Sequence, residues 1–128
     1  SPTLINNSID DYINILSETN NYVEMQGAFF YHFLQPTLFT KNKLNEYEQM
    51  LVEKGEPFVP IQFVGPYKRS YPLIEKRLNN LDFSYSLTGI FNGLDESPFL
   101  DYCHVNHVGN KIISENIWNR ISVKLKAY

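Results

Sequence analysis

The chain has one cysteine, one tryptophan, no run of like charge and no apolar stretch near the roughly 20 residues that cross a bilayer. A single cysteine excludes an internal disulfide framework and leaves the compartment, and so the localisation, open. The 11 basic and 14 acidic residues are scattered, for a net charge of -3. With no Lys/Arg stripe, nucleic acid and anionic membrane are poor partners, and no membrane span is expected. Also missing are an internal repeat, a low-complexity segment and a Gly/Ser linker, which argues for one compact unit. None of its serines stands in a strand-to-helix turn of the kind that presents a nucleophile.

What is present is ordinary globular material rich in aromatics. Across 128 residues, 43% are hydrophobic and 20% charged, with 9 Tyr and 9 Phe. That length suffices for a core, and that composition argues against disorder.

The hydrophobic pattern predicts an alternation of helices and strands. Ile9, Tyr12, Ile13, Leu16 and Val23 recur at helical spacing after a Ser8 cap, giving a helix over 8–26 with Gly27 as its stop. Residues 28–34 are apolar on both faces, as in a strand covered by helices on both sides. A second helix is predicted over 44–53, an extended connection over 55–65, a third helix over 70–80 and a short strand within 83–91. The last helix is the clearest: Asn106 caps it, and Val108, Ile112, Ile113, Ile117, Ile121 and Leu125 line one side over 107–125.

The chemistry concentrates just before that helix. Asp101 stands three residues ahead of His104 in a loop, so its carboxylate can fix the imidazole's tautomer and leave the other nitrogen as a base for a hydroxyl nucleophile. Asp101, His104 and His107, spaced three apart with Cys103 among them, also offer zinc-type ligands. Spacing alone leaves both readings open. Cys103 reads as an inert thiol whose side chain points away from His104, because neighbours in extended chain face opposite ways. Gln35, at the end of the first strand, either lines a substrate pocket or bonds a neighbouring loop. His32 reads as a packed, hydrogen-bonded residue of the strand.

The context of the dyad adds a resemblance. Residues 99–114, from Phe99-Leu100-Asp101 through His104, Asn106 and Gly109-Asn110 to Ile113-Ser114, resemble the last block of the SGNH/GDSL hydrolases. That block runs from an apolar residue through D-x-x-H, a cap and a glycine into a closing helix. Phe33-Leu34-Gln35-Pro36 with Lys43–Glu48, and Leu87–Phe91, look like segments that precede it. The resemblance implies an α/β fold, a three-layer α/β/α sandwich around a parallel sheet of flavodoxin-like type. It implies His104 as general base and Asp101 as its orienting carboxylate, with no metal and no cofactor. The reaction would be hydrolysis of an ester, on an acylated carbohydrate or a lipid, through an acyl-serine.

The chain departs from that family in the blocks expected ahead of this one. It contains neither the Gly-Asp-Ser nucleophile block nor the Gly-x-Asn-Asp block that supplies oxyanion donors. The expectation is therefore that residues 1–128 form the C-terminal half of one hydrolase domain, inactive alone, with the serine on an N-terminal segment. Such a half-sheet exposes an apolar edge and is expected to pair with its missing half or with another chain. The alternative is a non-catalytic domain of the same fold that binds a carbohydrate or protein partner.

Overall fold

The computed structural model describes residues 2–126 and is mostly helical, with 58% helix against 6% strand. Four helices, α1 (Pro2–Met25), α2 (Glu46–Lys54), α3 (Ile61–Leu78) and α4 (His107–Leu125), surround two three-residue strands, β1 (His32–Leu34) and β2 (Ser84–Ser86). The strands pair in parallel, His32 with Ser84 and Leu34 with Ser86. This corrects the expected fold class: a two-strand sheet is not the sheet of a three-layer α/β/α sandwich.

Two segments account for the difference. The stretch expected to be extended over 55–65 enters a helix at Ile61, and that helix absorbs the one expected over 70–80. Val64, Tyr67, Tyr71, Ile74 and Leu78 recur at alternating three- and four-residue steps, a helical stripe that outweighs the prolines. Pro66 and Pro72 both lie on the exposed side of α3. The second segment is 28–34, expected to be strand throughout, of which only His32–Leu34 is strand. The short strand expected within 83–91 is present as Ser84–Ser86, and Leu87–Phe91 winds into turns closed by Ile90 N–H to Leu87 O and Asn92 N–H to Gly89 O.

Helix ends follow local chemistry. α1 stops where Gly27 takes a positive φ of 75°, and the Ala28 N–H reaches back to the Val23 carbonyl. α2 begins with a reciprocal cap: Asn45 accepts from the Glu48 N–H, and Glu48 accepts from the Asn45 N–H. The same Glu48 is fully buried against Lys41 at 2.9 Å. Ser97 also donates to its carboxylate at 3.0 Å.

Two cores result. Leu16, Leu34, Leu78 and Phe83 bury one face of the strand pair against α1 and α3. On the other face Tyr31 and Phe33 stack on Tyr85, with Arg120 and Lys124 of α4 over Tyr85 and Tyr31. The second core, Leu38, Leu51, Val59, Phe91 and Phe99, lies under the loop that carries Asp101 and His104. Each such fully buried side chain contributes on the order of 1.5–3 kcal/mol. Among the described residues, no helix is long and apolar enough to cross a membrane.

Candidate active site

The loop between Phe91 and α4 is held from both ends. Phe99 bridges Val105 in a minimal antiparallel pair, closed by Leu100 N–H to His104 O at 2.8 Å. At its tip the Tyr102 carbonyl accepts from Leu38 N–H, and the Tyr102 N–H donates to Phe58 O. At its base Asn106 works twice. Its carboxamide oxygen accepts from the N–H groups of Val108 and Gly109, capping α4. Its Nδ2 donates to the Ser97 carbonyl at 2.9 Å. Gly109 packs so closely that a Cβ there would stand 2.8 Å from Val105 Cβ. Residues 98–105 are thus fixed between a buried ion pair and a helix cap.

Within this frame Asp101 and His104 meet. Asp101 Oδ1 accepts the backbone N–H groups of Cys103 and His104 at 2.9 and 2.7 Å, and Oδ2 lies 2.7 Å from His104 Nδ1. Partial burial works against charge on Asp101. The two backbone donors and the imidazole outweigh it and hold the carboxyl below the usual carboxylate value. An ionised carboxylate only accepts, so Nδ1 carries the proton, and in the neutral ring the lone pair is on Nε2. The His104 side chain is 74% exposed against 24% for Asp101. The lone pair therefore faces a reachable surface while the orienting group stays in the loop.

Next to His104 lies a cleft of about 460 Å³ whose walls include Phe33, Leu87, Ile113 and Ile117. Polar groups are few there: His104, Gln35 and Asn110. A mostly apolar cleft with a small number of placed polar groups suits a small organic ligand. A second cleft of similar volume, about 450 Å³, lies between Lys43–Gln49 and Gly93–Asp95 and has neither histidine nor cysteine in its lining.

Of the residues singled out in the sequence, Asp101, His104 and Gln35 come together. Gln35 lines the cleft and also donates to the Cys103 carbonyl at 2.8 Å, the neighbouring-loop bond that was one of its two expected roles. Cys103 differs from expectation. Its Sγ lies 3.7 Å from His104 Nδ1, on the same side as the ring rather than opposite, because the turn at 101–104 is not extended. Burial pushes its thiol up, so it is no ready thiolate nucleophile. His107 opens α4 and is not among the Asp101, Cys103 and His104 ligand atoms that cluster within 4.8 Å.

His32 is hydrogen-bonded as expected, but its partners escaped the sequence reading. His32 hydrogen-bonds Ser84 Oγ through Nδ1 at 2.8 Å and the Tyr12 hydroxyl through Nε2 at 2.6 Å. Its signal is tertiary, since only the strand register places Ser84 opposite His32. No serine lines the cleft beside His104 among the described residues. Comparisons of the chain with protein-family models, with curated proteins and with solved structures found no match.

Proposed function

We propose that Asp101 and His104 are the base half of an ester-hydrolase active site whose serine nucleophile lies on a segment outside this chain. The observation that carries the reading is the division of labour in the dyad. One Asp101 oxygen is anchored by two backbone N–H groups, the other holds Nδ1–H, and Nε2 is left free beside an apolar cleft. That arrangement supports general-base chemistry. His104 Nε2 takes the serine proton as the oxygen attacks the ester carbonyl. It returns that proton to the departing alcohol, leaving an acyl-serine. It then activates a water that releases the acid. Asp101 stabilises the imidazolium formed in each step, and no cofactor is needed.

The cleft walls suit an ester with an apolar acyl part, and the open mouth at His104 leaves room for the alcohol, whether a sugar or a lipid. Exposed apolar side chains on α1 and α4, Met25 at 81% and Val123 at 70%, support association with the missing segment or with another chain. Sedimentation of the isolated chain as a clean monomer would remove that part of the reading.

The test is hydrolysis of a simple aryl acetate by the full-length protein, with covalent labelling by a serine-directed fluorophosphonate. His104→Ala should abolish most turnover, and full activity in that variant sinks the assignment. The alternative, a non-catalytic domain binding a carbohydrate or protein partner, is favoured by the lack of a serine in the described cleft lining. A coding sequence without a nucleophile turn ahead of Ser1 would select it.

A further inference from the structure

Three side chains of the 101–104 turn converge: a carboxylate oxygen of Asp101, Cys103 Sγ and a ring nitrogen of His104 lie within 4.8 Å of one another. Around a tetrahedral zinc, ligand atoms stand roughly 3.3–3.7 Å apart, given Zn–N and Zn–O bonds of about 2.0–2.2 Å and a Zn–S bond of about 2.3 Å. Cys103 Sγ already stands 3.7 Å from His104 Nδ1. The Oδ2 to Nδ1 separation of 2.7 Å is a hydrogen bond that must open by about 0.7 Å to admit a metal ion. The other carboxylate oxygen stays tied to two backbone N–H groups, so Asp101 can turn slightly without losing its place in the loop. A mixed oxygen, sulfur and imidazole set suits a borderline divalent ion and disfavours calcium or magnesium, which take oxygen ligands. The ring is largely exposed, so the ion has a path from solvent.

We propose that this turn binds one zinc-type divalent transition-metal ion through Asp101, Cys103 and His104, with water completing the coordination. The ion takes the position of the Nδ1 proton and separates Asp101 from the imidazole. On the ester-hydrolase reading above, on which this consequence rests, it is a reversible inhibitor that disables the base. Binding itself does not depend on that reading.

The experiment uses Co²⁺ and Zn²⁺ on the chain in chelator-free buffer, followed by absorption and calorimetry. One Co²⁺ per chain should bind with an intense near-ultraviolet thiolate-to-metal band, and Zn²⁺ should displace it. Cys103→Ser should remove that band and weaken zinc binding at least tenfold. His104→Ala should weaken it by a similar factor, whereas His107→Ala should leave it unchanged. Absence of the band in the unmodified chain overturns the site, as does zinc binding indifferent to Cys103→Ser or abolished by His107→Ala. In the full-length protein, zinc should suppress aryl-acetate hydrolysis and a chelator should restore it. Hydrolysis untouched by saturating zinc overturns the inhibitory role. A protein that binds metal but hydrolyses nothing would end the esterase reading and leave the metal site standing.

Discussion

His32 and His104 are both held by oxygen partners, yet they spend their ring nitrogens differently. His32 spends both ring nitrogens, on Ser84 and Tyr12, and joins β1 to β2 and α1. Burial lowers its pKa, which keeps it neutral and bonded. His104 commits one nitrogen to a carboxylate and leaves the other at the surface. A histidine beside a serine is therefore not in itself a catalytic pair. What distinguishes a base is an ionised partner on one nitrogen and an unspent lone pair on the other.

The sharpest way to break this contrast is His104→Ala, expected to lower kcat/KM of the full-length protein by about 10³-fold, or ~4 kcal/mol, with little change in melting temperature. His32→Ala should do the opposite, costing stability while leaving chemistry near normal. Asp101→Ala comes next, at roughly 10²-fold in kcat/KM, because an unoriented imidazole retains part of its function. Equal losses in the two variants would mean that Asp101 does more than orient.

Gly109→Ala tests the frame under His104. Its methyl group would meet Val105 Cβ at 2.8 Å and Pro98 O at 3.0 Å. Overpacking of this kind costs about 1–3 kcal/mol, read from urea unfolding. The smallest effect is a pH slope. His32 has a folded pKa below its unfolded value near 6.5. Both states are neutral above that value, so its stability contribution is intact there. As pH falls below about 6.5 the unfolded state takes up the proton first and stability declines, until the folded pKa is passed. His32→Gln should flatten that slope, and an unchanged slope would place its origin elsewhere.

Much of the candidate site was legible because it is local. D-x-x-H within a turn, followed by a capping Asn and an apolar stripe, encodes its own geometry within about ten residues. α4 accordingly spans His107–Leu125 with Asn106 as its cap. The first helix and α2 were visible for the same reason, although α1 starts at Pro2 rather than near Ser8. The middle of the chain was not legible. Its prolines suggested extended structure over 55–65, whereas residues from Ile61 onward join the helix expected over 70–80, with Val64 packed against the core of Leu38, Leu51 and Val59. Cys103 was misplaced because a tight turn does not alternate as a strand does.

By itself, then, the sequence determined the dyad, its cap and the closing helix, since these depend on hydrogen bonds between near neighbours. The chain's tertiary structure decided the rest. It reduced the expected sheet to two short strands and spent His32 on Ser84 and Tyr12. It set Gln35 beside the Asp101–His104 turn and brought a thiol to the imidazole. Each of these depends on which distant segments pack together, and that free energy is shared across the whole core rather than written in any one stretch.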